Sequence, residues 1–155
     1  MEYRYDSYCG LYCGACGIFL ANMKNRVEDL AKEKGMKPED LVCNGCKSAI
    51  QSVYCRDCEF IACAVEKKVE FCCDCPEYPC KKISDFKHDK SPHHSIVFKN
   101  LELIKEYGVE NWLIEQKIRW SCPECGEPYS WYTEKCSNCG AKVLSSIDEE
   151  VELDD

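Results

Sequence analysis

Sixteen cysteines in 155 residues, most of them in Cys-x-x-Cys pairs, predict a small, α-rich α+β fold. Metal–thiolate bonds, more than a large hydrophobic core, are expected to stabilise it. Two further observations support this class. Helical periodicity recurs between the cysteine clusters, and two knuckles close the chain: Cys122-Pro-Glu-Cys125-Gly, then a ten-residue gap, then Cys136-Ser-Asn-Cys139-Gly. Four soft thiolates in two turns suit the tetrahedral preference of Zn²⁺, and the glycines let backbone amides point toward sulfur. A β zinc ribbon is therefore expected over residues 121–143, with Tyr129, Trp131 and Tyr132 placed between the knuckles as in a strand.

Ahead of the ribbon the sequence divides into a multi-cysteine domain, residues 1–86, and a linker with a helical arm, residues 87–120. The first segment is the loop Cys9-Gly-Leu-Tyr-Cys13-Gly-Ala-Cys16-Gly. Phe19, Met23, Val27 and Leu30 then form one helical stripe, which Gly35 should stop. Pro38 begins a short turn. A dense cysteine block comes next, with Cys43-Asn-Gly-Cys46, Cys55-Arg-Asp-Cys58, Cys63, Cys72-Cys73-Asp-Cys75 and Cys80. Within it, Glu59 to Lys68 predicts a short helix, and Pro79 opens another through Phe86. Ser91-Pro92 predicts an N-cap and first helical residue. Val97, Leu101 and Ile104 stripe that helix and Gly108 ends it; a second runs from Glu110 to Arg119. Residues 144–155 form an acidic tail, expected to be solvated and frayed.

Composition narrows the function classes. Cysteines in close pairs and triplets suit metal ligation better than a disulfide framework, and the polar opening Met1–Ser7 has no apolar signal core. A reducing cytoplasm is the expected location. No apolar run approaches the roughly 18 residues of a membrane span. The net charge is −8, of which residues 141–155, with six acids and one lysine, hold −5. An acidic body and tail argue against nucleic acid, and an unidentified protein is the expected partner. Trp112, Trp120 and Trp131 read as anchors that pack the arm on the ribbon. No phosphate loop, dinucleotide fingerprint or nucleophile elbow is present, and the carboxylates form no acid/base pair.

The metal chemistry has one closed reading and one open one. Cys122, Cys125, Cys136 and Cys139 form a zinc set; the other twelve cysteines would fill three four-ligand sites. Cys43, Cys46, Cys55 and Cys58 suit one compact site, and Cys72 with Cys75 could pair with Cys13 and Cys16 across the fold. Cys9, Cys63 and Cys80 are candidate fourth ligands. Cys73, adjacent to Cys72, is left out as a free thiol. The spacing of Cys9, Cys13 and Cys16 also matches three ligands of a [4Fe–4S] cluster, so zinc and iron–sulfur both stand for this block. That spacing occurs in radical SAM enzymes too, but their barrel exceeds this whole chain. A redox dithiol would need a βαβ context that is absent here. His88, His93 and His94 cluster near the linker, where packing is favoured over ligation.

In order, Cys9-Gly-Leu-Tyr-Cys13-Gly-Ala-Cys16, Cys43-Asn-Gly-Cys46, Cys58-Glu-Phe-Ile-Ala-Cys63-Ala and Cys72-x-x-Cys75-Pro-Glu-Tyr-Pro-Cys80 resemble a cysteine-rich bacterial and archaeal family, domain of unknown function 3795. Gly108, Trp112-Leu113, Gln116 to Trp120 and the ribbon are similar to its longer members. Cys73 departs from the pattern, as does Ile61-Ala62 where the family has arginine. The resemblance implies a zinc-holding protein with no established reaction. The expected function is thus a non-enzymatic metal-binding or adaptor module, with iron–sulfur electron transfer or redox sensing as the alternative.

Overall fold

The computed structural model describes residues 2–154, and helices dominate them. In chain order they are α1 (Gly17–Met23), α2 (Val27–Lys34), α3 (Val53–Arg56), α4 (Glu59–Lys67), α5 (Lys81–Lys87), α6 (Val97–Tyr107), α7 (Val109–Arg119) and α8 (Ser146–Asp154). Short 3₁₀ turns fill several of the gaps, at Cys13–Ala15, Pro38–Asp40, Cys72–Asp74 and Pro92–His94.

The helix-rich part of the expected class is present, but a β ribbon is not. Among the described residues strand pairing amounts to two isolated antiparallel bridges, Ser121 with Pro128 and Lys135 with Lys142. Each bridge closes one knuckle. The segment between them is occupied elsewhere: Trp131 N donates to Ala15 O at 3.1 Å, and Trp131 O accepts from Ser146 N at 2.6 Å. Tyr129 N bonds Trp120 O and Val143 N bonds Glu134 O, each at 3.0 Å, so each knuckle closes on itself while Trp131 between them bonds outward, and no ladder joins the two.

The stripe from Phe19 to Leu30 is split in two. Asn25 takes a left-handed φ of 56°, a conformation asparagine tolerates, and Arg26 N closes the turn on Ala21 O at 2.8 Å. Phe19 is buried and Met23 is exposed. The helix from Glu59 forms as expected, with Phe60 and Ala64 on its buried face and Lys68 as a left-handed C-terminal residue. α5 starts at Lys81, after Cys80, not at Pro79. Ser91 makes no side-chain cap; a 3₁₀ turn at Pro92–His94 intervenes and α6 begins at Val97. Gly108 ends α6 and leads directly into α7, with Trp112 N bonded to Gly108 O at 3.2 Å.

The acidic tail is a helix rather than a frayed end, although Asp155 lies outside the described residues. Ser145 and Asp148 cap it reciprocally. Ser145 N donates to Asp148 Oδ2 at 2.9 Å, and Asp148 N donates to Ser145 Oγ at 3.4 Å. Arg119 Nε also reaches Glu149 at 3.3 Å.

One apolar cluster joins the N-terminal cysteine loop, α4 to α7 and the terminal knuckles. It runs from Cys9, Tyr12 and Ala15 through Phe60, Phe71 and Ile83 to Val97, Leu101, Ile104, Trp112 and Trp120. Cys122, Tyr129, Cys136 and Val143 extend it into the terminal knuckles. Polar contacts reinforce it. Lys24 pairs with Glu127 at 2.6 Å, and buried Asn100 donates to Gly10 O at 2.9 Å. Lys47, its side chain only 3% exposed, pairs with Asp6 at 2.9 Å and Glu70 at 3.5 Å. Its ammonium also sits 3.7 Å from the centre of the Phe71 ring. The 43–46 knuckle thereby contacts the N-terminal segment very closely. A Cβ on Gly45, whose φ is 112°, would overlap Arg4 O.

Candidate metal centre

The two terminal knuckles share one bonding scheme. Gly126 N donates to Cys122 O at 2.8 Å, and Gly140 N to Cys136 O at 2.9 Å. Cys122 N donates to Glu127 O at 2.9 Å, and Cys136 N to Ala141 O at 2.8 Å. Gly126 and Gly140 adopt φ of 81° and 77°, which their lack of a Cβ permits. In both knuckles the first cysteine is buried and the second exposed. Cys122 and Cys136 face the core while Cys125 and Cys139 cover them from the solvent side.

This arrangement brings the four sulfurs within 4.8 Å of one another. Cys122 lies 3.6 Å from Cys139, and Cys125 lies 3.5 Å from Cys136. A Zn–S bond of about 2.3 Å places tetrahedral sulfurs about 3.8 Å apart, so the set fits a single ion. Asn138 N also donates to Cys136 Sγ at 3.4 Å. Electrostatics distinguish the four. The Asn138 side chain, the Glu127 amide and the neighbouring sulfurs hold the Cys125 thiol down to about 6. At Cys139 the Ala141 amide favours ionisation, but desolvation and the sulfurs of Cys122, Cys125 and Cys136 carry the thiol up to about 12. Four adjacent thiols do not all ionise without a cation to balance them, which a bound ion would supply.

Eleven of the remaining twelve cysteines fall into two neighbourhoods. Cys63 on α4, Cys72 and Cys75 around a 3₁₀ turn, and Cys80 before α5 line one small cavity. Burial, together with the negative charge of Cys80, Cys63, Cys73 and Cys75, pushes the Cys72 thiol up to about 12. Cys9, Cys13, Cys16, Cys43, Cys46, Cys55 and Cys58 make the other. Burial first, then Cys43, Cys16, Cys46 and Cys58, raise the Cys55 thiol to about 12. Hydrogen bonding to Cys46 raises Cys13 and correspondingly lowers Cys46. The pairing of Cys72 and Cys75 with Cys13 and Cys16 does not occur; the first two face Cys63 and Cys80 instead, and Cys13 faces Cys46. Loop folding around α4, invisible to spacing, makes that choice.

Amide donors to sulfur recur in the second neighbourhood. Gly45 N donates to Cys43 Sγ at 3.4 Å, the same relation as Asn138 to Cys136. Burial raises the Cys16 thiol while the amides of Phe19 and Ile18 oppose that rise. Burial also drives the Cys9 thiol far up, against hydrogen bonds from Ser7 and the Leu11 amide.

Cys73 is buried in the apolar cluster and does not line the cavity beside it. The histidines pack rather than gather with cysteines. His93 stacks on Trp131 with centroids 4.1 Å apart and bonds the Tyr132 hydroxyl at 2.6 Å. His94 stacks on Phe86 at 3.7 Å and meets Asp89 at 2.8 Å. His88 Nδ1 lies 2.8 Å from Ser84 O. The sequence reading gives no role beside cysteine to two lysines, Lys47 next to Cys46 and Lys67, part of the family-like Glu66-Lys67, with Nζ 3.6 Å from Cys75 Sγ. Only the second has a legible hint, its helical spacing one turn after Cys63.

No helix among the described residues is long and apolar enough to cross a membrane. Neither a curated protein nor a solved structure matches the chain. The model of one family, described as Protein of unknown function (DUF3795), matches residues 5–85, which is more than half of the chain. The match takes in every cysteine from Cys9 to Cys80 and stops short of the terminal knuckles. The chain belongs to the DUF3795 family.

Proposed function

We propose that this protein is a non-enzymatic zinc-binding module of the cytoplasm, serving as an adaptor for a protein partner. The observation that carries the reading is the four-sulfur set of Cys122, Cys125, Cys136 and Cys139, all within 4.8 Å of one another. Closed four-thiolate sites are structural, whereas catalytic zinc keeps a position open for water or substrate. The set also joins the apolar cluster through Cys122 and Cys136, so an ion there would fasten the C-terminal part to the rest. A net charge of −8 favours a protein partner over nucleic acid.

Metal analysis of anaerobically purified protein tests this reading. Zinc without a visible absorption band is expected, and the double variant Cys125→Ser/Cys139→Ser should lose about one ion per chain. A variant that keeps the full zinc content sinks the terminal site. A second reading, an iron–sulfur redox centre including Cys9, Cys13 and Cys16, draws support from their neighbourhood. With Cys43, Cys46, Cys55 and Cys58 they make seven cysteines, more than the four that one zinc takes. Iron and sulfide retained by the N-terminal block would favour it.

A further inference from the structure

We infer that Cys63, Cys72, Cys75 and Cys80 form a metal site of their own, for one soft divalent ion of the zinc class. The site neither uses nor depends on the terminal knuckles. Its cavity measures about 30 Å³. At roughly 10–15 Å³ per water, that admits an ion-sized guest, whereas the eight-atom core of a [4Fe–4S] cluster needs far more room. The lining also selects for charge. Besides the four cysteines it consists of Phe60, Ala64, Val69 and Tyr78, with Lys67 and Lys82 at its edge. No carboxylate or imidazole is among the lining residues, so a hard cation finds no anionic oxygen ligand there.

The local chain gathers the four cysteines at one cavity. Cys75 N bonds Cys72 O at 3.1 Å and Tyr78 N bonds Cys75 O at 3.0 Å, two successive turns that lead the chain from Cys72 to Tyr78, two residues before Cys80. Cys63 approaches from α4, and the bond from Cys72 N to Tyr8 O at 2.8 Å anchors the far side. Lys67, ion-paired with Glu77, donates to Cys75 Sγ at 3.6 Å, as an outer partner of a thiolate ligand does. Four thiolates around one divalent ion leave a net charge of −2, and the Lys67 ammonium offsets part of it. The four sulfurs stand wider apart than the terminal set, which alone among the described residues meets the 4.8 Å spacing. Binding therefore draws them inward around the ion. Cys73, next in sequence to Cys72, points into the apolar cluster and takes no part.

The test is zinc stoichiometry of the full chain, purified anaerobically and reconstituted with Zn²⁺. Cys75→Ser should hold about one zinc fewer than the wild type, and Cys73→Ala should hold the same number. Co²⁺ bound at the terminal knuckles of Cys75→Ser, seen by its tetrahedral visible bands, reports that the variant is folded. Should Cys75→Ser fail to fold, alkylation of the wild-type chain followed by mass spectrometry decides. Cys63, Cys72, Cys75 and Cys80 should be protected together by zinc and become reactive together when it is chelated. Equal zinc in Cys75→Ser and wild type, or equal alkylation of the four with and without zinc, overturns the inference. So does iron with sulfide bound by these four. Loss of zinc from Cys125→Ser/Cys139→Ser alone speaks to the terminal site, so the two readings fail separately.

Discussion

Single residues set limits on what this fold tolerates. Lys47 is the clearest case, a charge almost wholly out of water that is paired with Asp6 and Glu70 and placed over Phe71. Lys47→Ala would leave Asp6, itself 8% exposed, with Arg4 alone at 3.5 Å. A loss of roughly 3 kcal/mol is expected in urea unfolding, and a change below about 1 kcal/mol would contradict the pairing. His93 supplies a pH dependence. Burial against Trp131 and Tyr132, then the charge of His94, lowers it from 6.5 to about 4. The unfolded chain therefore binds a proton between those limits that the folded chain does not. Stability is complete above pH 6.5 and declines until pH is near 4, by about 2 kcal/mol after allowance for solvent screening. His93→Phe keeps a ring on Trp131 and should flatten this decline. Urea unfolding of both proteins across that range measures it, since release of any bound metal would affect the two alike.

At the scale of elements, turn chemistry decided more than periodicity did. The helices from Glu59 and Val109 and the body of α6 are legible in their apolar spacing, whereas the expected start of α6 at Ser91-Pro92 becomes a 3₁₀ turn. The single helix expected from Phe19 to Leu30 fails at Asn25, where one left-handed residue redirects the stripe. The terminal helix carried a readable signal in Ser145-x-x-Asp148, outweighed by the acidity of residues 149–155. That capping pair is testable. Ser145→Ala removes the hydroxyl partner of Asp148 and should cost about 1 kcal/mol, with reduced helicity by circular dichroism. Unchanged stability would mean that the bond from Ser146 N to Trp131 O, at 2.6 Å, holds α8 without its cap.

For the whole molecule, the terminal four-cysteine group and the core are one system. Cys122 and Cys136 belong to the same apolar cluster as Trp112 and Leu101, so an ion on the terminal sulfurs cross-links the cluster's C-terminal edge. Chelation under reducing conditions should lower Tm by more than about 10 °C, because structural zinc in small domains contributes several kcal/mol to folding. Calorimetry with and without chelator measures the shift, and an unchanged Tm would mean that the apolar cluster alone sustains the fold.

The sequence by itself singled out the one four-cysteine group of the described residues whose sulfurs lie close enough to hold an ion. The Cys-x-x-Cys-Gly spacing places each terminal pair in one turn, so local geometry was enough to name Cys122, Cys125, Cys136 and Cys139. The helix-rich character and the exclusion of Cys73 from the cavity were legible for the same reason, since neighbours along the chain constrain each other directly. Only the tertiary structure decided which distant cysteines meet. Cys63 and Cys80 are separated by sixteen residues, and their approach depends on how α4 packs through Phe60 and Ala64 and on where the turns after Phe71 direct the chain. The absent ribbon has the same origin. Trp131 gives its backbone bonds to Ala15 and Ser146, partners at opposite ends of the sequence that no local pattern encodes.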